Sequence, residues 1–242
     1  MYKGKAADMV VFRDVSERKR MEEKLRVVGR LARHDVRNKL SAVTGNAYLL
    51  KKRLEGDSEA VERLEDIESA VRETTQIFDF ARTYEKLGIE KLVYIDVEKT
   101  FNGAVQQFSD LQVKVVNDCH GLLVLADSLL TRLFYNLIDN SLKHGENVSK
   151  IRVYYEEAGQ NQLKLVYEDD GVGIRKAEKE KVFREGYGKD TGYGLYLIRK
   201  MCEVYGWTIR ETGKHGEGAE FTMTIPGTNS SGKACYQLSR NK

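Results

Sequence analysis

The first residue of this chain that could do chemistry is a histidine on a predicted helix. His34 lies in the stretch RHDVRNKL, next to Asp35 and one helical turn before Asn38. A neutral imidazole has one nucleophilic ring nitrogen, and a carboxylate that accepts a hydrogen bond from the other nitrogen raises its nucleophilicity. The three residues could therefore form a nucleophilic centre, although an ordinary exposed histidine fits the same local pattern.

The apolar residues around His34 predict which way its side chain faces. Ala32 and Val36 belong to a stripe of apolar residues spaced three and four apart. A helix turns about 100° per residue, so His34 lies about 200° from both of them. We therefore expect His34 on the polar, solvent-facing side of the helix and not in a packed core.

A second helix, in the segment RLFYNLIDNSLKHG, has polar residues that suit a phosphate ligand. Asn136, Asn140 and Lys143 are spaced i, i+4 and i+7, which places them on one face. Amide oxygens and one ammonium group suit Mg²⁺ bound to phosphates, because Mg²⁺ keeps several waters and needs few protein ligands. A solvated polar face is the equally weighted alternative for this helix alone.

The segment YEDDGVGI follows a predicted strand. Its Asp170, Gly171 and Gly173 put a carboxylate at a sharp turn. A carboxylate can accept a hydrogen bond from the exocyclic amine of adenine, and glycines let a ligand approach the backbone. A plain turn or a fragment of a calcium loop would give the same short pattern.

A third segment, GYGKDTGYGLYLIRKM, leads through glycines into a helix. Gly188, Gly192 and Gly194 precede the helix. Free backbone N–H groups and the helix dipole favour phosphate at such a position. The segment is neither a Walker A loop nor a Rossmann fingerprint, so it is a weak indication by itself.

Together, and in this order, the three segments and the following GEGAEFTMTIP resemble the ATP-binding domain of the sensor histidine kinases. That Bergerat or GHKL fold is shared with gyrase-type ATPases. RHDVRNKL resembles the family's phosphoacceptor segment, and KVFREGY resembles its lid. The stretch VVFRDVSERKRMEEKL looks like the last strand and exit helix of a PAS sensor domain.

The resemblance implies a role for each matching residue. It implies that His34 accepts the γ-phosphoryl group of ATP, that Asp35 orients and activates the ring, and that Asn38 positions water for dephosphorylation of a partner. Asn140 is implied as the Mg²⁺ ligand. The other ATP-binding residues that it implies are Asn136, Lys143, His144, Asp170, Gly171, Gly173, Lys189, Gly192, Gly194 and Leu195.

The predicted function is ATP- and Mg²⁺-dependent autophosphorylation of His34 in a homodimer, followed by phosphoryl transfer to an aspartate of a response regulator. Phosphatase activity toward that regulator is a further expectation. Two alternatives stay open, a gyrase-type ATPase and a non-catalytic pseudokinase scaffold. The histidine on a dimerising hairpin argues against the first, because such ATPases need no phosphoacceptor helix.

The elements that must position these residues are predicted to form an α+β protein. Apolar steps of three and four continue from Met21 to Leu54, stop at EGDS, and resume from Val61 to Ala81. Two such helices can bury their apolar stripes by pairing with a second copy, as a dimeric four-helix bundle. After Gly88, short β-like runs alternate with helices near 98–108, 128–143 and 193–205, which predicts a two-layer α/β sandwich with one sheet and helices on one face.

The predicted boundaries follow from these patterns. Residues 1–15 would be the terminal strand of a PAS-like remnant, preceded by the rest of the sensor in the full-length protein. Residues 16–88 would form the linker helix and phosphotransfer hairpin, and residues 89–226 the ATP-binding domain. The polar, aperiodic residues 227–242 are predicted to be disordered.

Composition narrows the class of protein. The 40 basic and 37 acidic residues leave a net charge of +3, which argues against a dedicated nucleic-acid binder. The three cysteines match no metal or redox spacing, which is typical of reduced thiols in the cytoplasm. No apolar run approaches the roughly 20 residues needed to span a bilayer. We therefore expect a cytoplasmic chain without a membrane segment, whose longer parent could still be membrane-anchored.

Overall fold

A computed structural model describes residues 16–159, 161–188 and 191–238 of the chain. The predicted PAS-like strand at residues 1–15 and the predicted phosphate ligand Lys189 lie outside these ranges. The chain divides into two compact units, one ending at Val71 and one beginning at Arg72. None of the described helices has a stretch long and apolar enough to cross a membrane.

From residue 16 onward the first unit is helical, as the apolar spacing predicted. Helix α1 covers Ser16–Arg53, and helix α2 covers Ser58–Tyr84, whose later part belongs to the second unit. Asp57 caps α2, since its Oδ1 accepts a hydrogen bond from the backbone N–H of Ala60 at 3.1 Å. Lys51 on α1 lies 2.7 Å from Glu65 on α2, which ties the two helices together.

Several large apolar side chains of this hairpin are exposed in the single chain. They are Val43, Tyr48, Leu49, Leu50, Leu54 and Ile67. Exposed apolar area of this kind has to be covered to be stable in water, and a second hairpin would cover it. The four-helix dimer stays a prediction.

The second unit contains eight strands and three further helices within the described residues. In chain order they are β1 Val93–Asp96, α3 Val97–Val105, β2 Lys114–Asp118, β3 Leu122–Ala126, α4 Leu130–His144, β4 Lys150–Ala158, β5 Gln162–Asp169, α5 Gly194–Tyr205, β6 Thr208–Glu211, β7 Glu220–Pro226 and β8 Tyr236–Leu238. The main sheet has five strands in the order β2-β4-β5-β7-β6, with β2 parallel to β4 and the other pairs antiparallel.

The helices and the main sheet share one hydrophobic core. Phe134 on α4 contacts Phe101 on α3 edge-on, with ring centroids 5.3 Å apart. On β5 the side chains of Leu163, Leu165 and Tyr167 belong to this core, so the strand face that they share is turned to it. Val166, on the opposite face, is buried as well. The predicted α+β class, with N-terminal helices followed by an α/β sandwich, is confirmed.

The prediction of a single sheet was wrong. β1, β3 and β8 form a separate three-stranded antiparallel sheet, so the apolar run at 122–126 does not enter the main sheet. β1 has only four residues directly before α3, which leaves too few positions for a recognisable alternation.

The prediction that residues 227–242 are disordered was also wrong for the part that the structure describes. Tyr236–Leu238 pairs with β3, Cys235 is buried, and the Leu125 N–H donates to the Cys235 carbonyl at 2.8 Å. Backbone pairing holds this strand, and backbone pairing needs no apolar pattern along the sequence.

The cysteines are free and buried, in agreement with the prediction of reduced thiols. Burial raises the pKa of the Cys119 thiol to about 12. A thiol held in its protonated form is a poor nucleophile and metal ligand, so these residues act as packing groups.

Candidate functional site

His34 is exposed on α1, as the helix rotation predicted. Its side chain is 71% exposed, and its Nδ1 lies 3.4 Å from Asp35 Oδ1. Asn38 Nδ2 approaches the same ring nitrogen at 3.4 Å. When Nδ1 carries the hydrogen that Asp35 accepts, Nε2 keeps its lone pair and is the nucleophilic nitrogen.

The second unit contains a cavity of about 580 Å³ beside α4 and the start of α5. This volume lies within the range of about 300–1,000 Å³ that small-molecule sites occupy. Most of the ligand-binding residues implied by the sequence line it. They are Asn136, Asn140, Lys143, His144, Gly173, Gly192, Gly194 and Leu195.

The amide of Asn140 lies where α4 and the first turn of α5 approach each other. A Cβ added to Gly194 would lie 3.6 Å from Asn140 Oδ1. The Nδ2 of Asn140 is buried and has no hydrogen-bond partner within the described ranges. α5 begins without a side-chain cap, so the first-turn N–H groups are left for another acceptor. An unsatisfied amide beside an uncapped helix start suits an anion with many oxygens.

Lys143 is paired with a carboxylate on the same helix. Its ammonium group lies 2.7 Å from Asp139 Oδ2, and both residues line the cavity. An ammonium group has three donors, so Lys143 can contact a phosphate and keep this ion pair.

Asp170, the predicted adenine-reading residue, does not line the cavity. Its carboxylate accepts hydrogen bonds from the Ser149 N–H and hydroxyl and from the Lys150 N–H, at 2.8, 2.5 and 2.8 Å. These bonds outweigh the effect of burial and hold the pKa of Asp170 below its ordinary value.

Asp169, which the sequence analysis passed over, is the carboxylate that lines the cavity. Its Oδ1 accepts hydrogen bonds from the N–H groups of Gly171 at 3.0 Å and Ala219 at 3.2 Å. Strand alternation could have identified it, because Asp169 follows Tyr167 by two residues and therefore shares its buried face. The spacing Asp-x-Gly-x-Gly, counted back from Gly173, also ends on Asp169.

The glycines after this carboxylate serve the fold more than the ligand. A Cβ at Gly171 would lie 2.6 Å from the Gly145 carbonyl oxygen, and Gly171 does not line the cavity. Gly173 does line it, with φ +68°, but a Cβ there would lie 2.5 Å from the Gly218 carbonyl oxygen. At both positions the protein main chain fills the space that a side chain would need.

The segment after Gly173 contains a turn of 3₁₀-helix, Lys181–Phe183, and is anchored within this turn and just before it. Phe183 is buried and contacts Phe221 edge-on, with centroids 6.2 Å apart. Lys179 lies 2.6 Å from the buried carboxylate of Glu211. These contacts fix the start of the predicted lid.

Other cavity-lining residues had no recognisable sequence pattern. Gln76, Asp79 and Phe80 come from the end of α2, and Phe80 stacks on Tyr193 with centroids 4.3 Å apart. Arg132 lies one turn before Asn136, and its guanidinium carbon is 4.5 Å from the centre of the Tyr135 ring. The fold brings these residues together from distant parts of the sequence.

Part of the chain matches a known protein family. Residues 126–229 match the family described as histidine kinase-, DNA gyrase B-, and HSP90-like ATPase. Sporulation kinase E of Bacillus subtilis is 25% identical over 90% of this chain and 32% of its own length. The signal transduction histidine-protein kinase AtoS of Escherichia coli is 24% identical over 90% of this chain and 39% of its own length. The chain thus spans about a third of the length of these relatives.

Solved structures show the same fold. Full-length ShkA in complex with AMPPNP superposes with a TM-score of 0.60 at 19% identity, covering 90% of this chain and 46% of ShkA. Histidine kinase ThkA in complex with the response regulator protein TrrA gives 0.56 at 20% identity, covering 88% of this chain and 64% of the matched chain. The chain therefore shares the fold of these histidine kinase structures over most of its length, and its residues 126–229 match the histidine kinase-, DNA gyrase B-, and HSP90-like ATPase family.

Proposed function

We propose that this chain is a sensor histidine kinase core that transfers the γ-phosphoryl group of ATP to His34 and then to an aspartate of a response regulator. The observation that carries the proposal is that this one chain combines two features. An exposed imidazole with a carboxylate at its Nδ1 is combined with a nucleotide-sized cavity lined by Asn136, Asn140 and the start of α5.

The cavity residues fit a magnesium nucleotide. The uncapped start of α5 and the Lys143 ammonium would bind phosphate oxygens, and Asp169 would accept the adenine amine. Asn140 and its neighbour Asn136 would hold Mg²⁺ through amide oxygens, which suit this hard cation. Bound Mg²⁺ supplies neutralisation of the phosphate charge. Phosphoryl transfer depends mainly on such positioning and charge compensation.

The chemical step is an in-line displacement. The Nε2 lone pair of His34 attacks the γ-phosphorus, an N–P bond forms, and the bond from phosphorus to the bridging oxygen breaks as ADP leaves. The ring then carries a positive charge, which the adjacent Asp35 carboxylate stabilises through the Nδ1 hydrogen. Transfer to the regulator reverses this bonding, since the N–P bond breaks as an aspartate oxygen attacks.

Asn38 gives the same centre a second activity. Its amide lies one turn from His34 on the same exposed helix face, within 3.4 Å of the ring. There it can hold a water molecule against a phosphoaspartate that docks on the hairpin. We therefore include regulator phosphatase activity in the proposal.

The proposed assembly is a homodimer that receives a response regulator and an upstream PAS domain. The exposed apolar residues of the hairpin support the dimer. The relatedness to sensor kinases and the ThkA complex with TrrA support the regulator. The sequence of residues 1–15 supports the PAS domain, and the cytoplasm is the proposed location.

A labelling experiment tests this function. The purified chain is incubated with Mg²⁺ and γ-labelled ATP, and we expect protein-bound label that is acid-labile and base-stable. His34→Gln should abolish the label. His120→Gln is the matched control, because His120 is also exposed and lies 2.9 Å from a carboxylate, Glu98, yet should label normally.

Other outcomes would replace the proposal. Labelled inorganic phosphate without labelled protein would indicate an ATPase of the gyrase type. Nucleotide binding without turnover would indicate a pseudokinase scaffold. Normal labelling of the His34→Gln variant would mean that a residue other than His34 accepts the phosphoryl group.

A further inference from the structure

The carboxylate of Asp169 belongs to a buried chain of three hydrogen-bonded side chains. The Ser141 hydroxyl donates to Asp169 Oδ2 at 2.5 Å and lies 2.9 Å from the Tyr167 hydroxyl. The exposed fractions are 3% for Ser141, 0% for Tyr167 and 8% for Asp169. Polar groups withdrawn from water in this way depend on each other for their hydrogen bonds.

The chain of hydrogen bonds can run in only one direction. Ser141 has a single hydroxyl hydrogen, which it donates to Asp169, and a carboxylate has none to give back. The Tyr167 hydroxyl must therefore donate to Ser141. Burial raises the pKa of Tyr167 above its ordinary value, which keeps that hydrogen in place. We call this arrangement, from Tyr167 through Ser141 to Asp169, the hydroxyl relay.

The relay leaves Asp169 with one acceptor position to spare. A carboxylate has about four lone-pair positions. The N–H groups of Gly171 and Ala219 occupy two on Oδ1, and Ser141 occupies one on Oδ2. Within the part of the chain that the structure describes, the second position on Oδ2 has no partner, and Asp169 lines the cavity.

We propose that Ser141 and Tyr167 are specificity-determining positioning residues, which hold Asp169 so that its remaining acceptor selects a nucleobase with an exocyclic amine. A base with a carbonyl at that position would place its oxygen against Asp169 Oδ2. Both atoms are hydrogen-bond acceptors, so both would be buried without a partner. The inference rests on the proposed function and adds to it the two side chains that make Asp169 select adenine over hypoxanthine or guanine.

Calorimetric titration of the full chain with MgADP and MgIDP tests the relay. The two nucleotides share their sugar and phosphates. Adenine has an amine at position 6 and no hydrogen on N1, whereas hypoxanthine has a carbonyl at position 6 and a hydrogen on N1. We expect the wild type to bind ADP at least about a hundredfold more tightly. The ratio of the two dissociation constants should fall about three- to tenfold in Tyr167→Phe and about tenfold in Ser141→Ala.

A double variant separates positioning from stability. Ser141→Ala alone leaves the Tyr167 hydroxyl buried without its acceptor, which destabilises the fold. Combining it with Tyr167→Phe removes both hydroxyls, so we expect a Tm close to that of the wild type and a nucleotide ratio as low as that of Ser141→Ala. If Ser141 and Tyr167 only stabilised the fold, the double variant would regain both the wild-type ratio of dissociation constants and the wild-type Tm.

Ser149→Ala is the matched control. Its hydroxyl also lies 2.5 Å from a carboxylate, that of Asp170, but neither residue lines the cavity. In the Ser149→Ala variant, the ratio of the two dissociation constants should equal that of the wild type.

The failures of the two proposals are distinguishable. Wild-type binding without preference for ADP, or unchanged ratios in Ser141→Ala and Tyr167→Phe, would overturn the relay and leave nucleotide binding standing. Binding of neither nucleotide by the folded wild type would overturn the proposed function and the relay with it.

Discussion

The two candidate reactive regions differ in how firmly their key side chains are held. His34 stands on an exposed helix face, with two side-chain contacts that are both 3.4 Å long. Asp169 is buried and receives three hydrogen bonds of 2.5 to 3.2 Å from two backbone N–H groups and one hydroxyl. The proposed nucleophile is loosely held, and the proposed base-reading group is fixed.

The difference follows from what each group must meet. In the proposed reaction His34 must receive a phosphoryl group from ATP and give it to an aspartate of another protein, so its ring has to be open to two partners. Asp169 has to recognise one nucleobase, and recognition gains from donors and acceptors that are fixed before the ligand arrives. Exposure in the first region and burial in the second are both consistent with the proposed chemistry.

The largest expected effect is a loss of phosphoryl transfer without a loss of stability. Asn140→Ala removes the amide that lies beside the start of α5, and we expect the rate of His34 labelling to fall at least about a hundredfold. The Tm should stay near that of the wild type, because the Nδ2 of Asn140 makes no hydrogen bond within the described chain. Labelling at the wild-type rate would remove Asn140 from the proposed metal site.

A second substitution alters Asp169, the side chain that is firmly held. Asp169→Asn turns one acceptor into an amide donor, which opposes both the Ser141 hydroxyl and the adenine amine. We expect ADP affinity to fall about a hundredfold and the free energy of unfolding to fall by about 1–3 kcal/mol. Calorimetric titration and urea unfolding measure the two effects.

The neighbouring carboxylate provides the control for this substitution. Asp170→Asn alters a side chain outside the cavity and should leave ADP affinity unchanged. Equal losses of ADP affinity in the two variants would contradict the assignment of Asp169 as the base-reading residue.

A third substitution tests the loosely held region. Asp35→Asn replaces the carboxylate that favours the Nδ1 hydrogen of His34, so we expect labelling to slow about tenfold or more. ADP affinity and Tm should not change, because both side chains are largely exposed. A loss of nucleotide affinity would contradict a role confined to the histidine ring.

Local regularity explains which parts could be predicted from the sequence. The 3.6-residue period places Asn136 and Asn140 on one face of α4, and both line the cavity as expected. The same period placed His34 opposite the apolar stripe of α1. In each helix the side-chain direction follows from spacing alone.

The missed features depend on pairing between distant segments. Phe80 reaches the cavity because the end of α2 packs against Tyr193, a contact across more than a hundred residues of sequence. β8 is held by main-chain pairing with β3, and its three residues are too few for a recognisable apolar pattern. The sequence analysis singled out Asp170, whereas Asp169 is the carboxylate that lines the cavity. Adjacent residues at a strand end face opposite sides, so a shift of one position exchanges them.

The smallest expected effect concerns acid stability and uses the same two aspartates. The folded-state pKa of Asp170 is lowered, so its hydrogen bonds to Ser149 and Lys150 contribute stability at pH values above the unfolded-state pKa, about 4. That contribution is lost as the pH falls through the lower, folded-state pKa. At pH 7 we expect Asp170→Asn to reduce the free energy of unfolding by about 1 kcal/mol or less, since the side chain is exposed and solvent screens it.

Urea unfolding of the wild type and Asp170→Asn between pH 7 and pH 3 measures this effect. The difference in unfolding free energy should be constant down to about pH 4 and should shrink below it, because the protonated wild-type carboxyl then resembles the amide. A difference that grew on acidification would mean that the folded state favours the protonated form of Asp170. Its hydrogen bonds would then hold a carboxylic acid, and the contrast between Asp169 as ligand-reading group and Asp170 as a carboxylate that only caps the start of β4 would have to be redrawn.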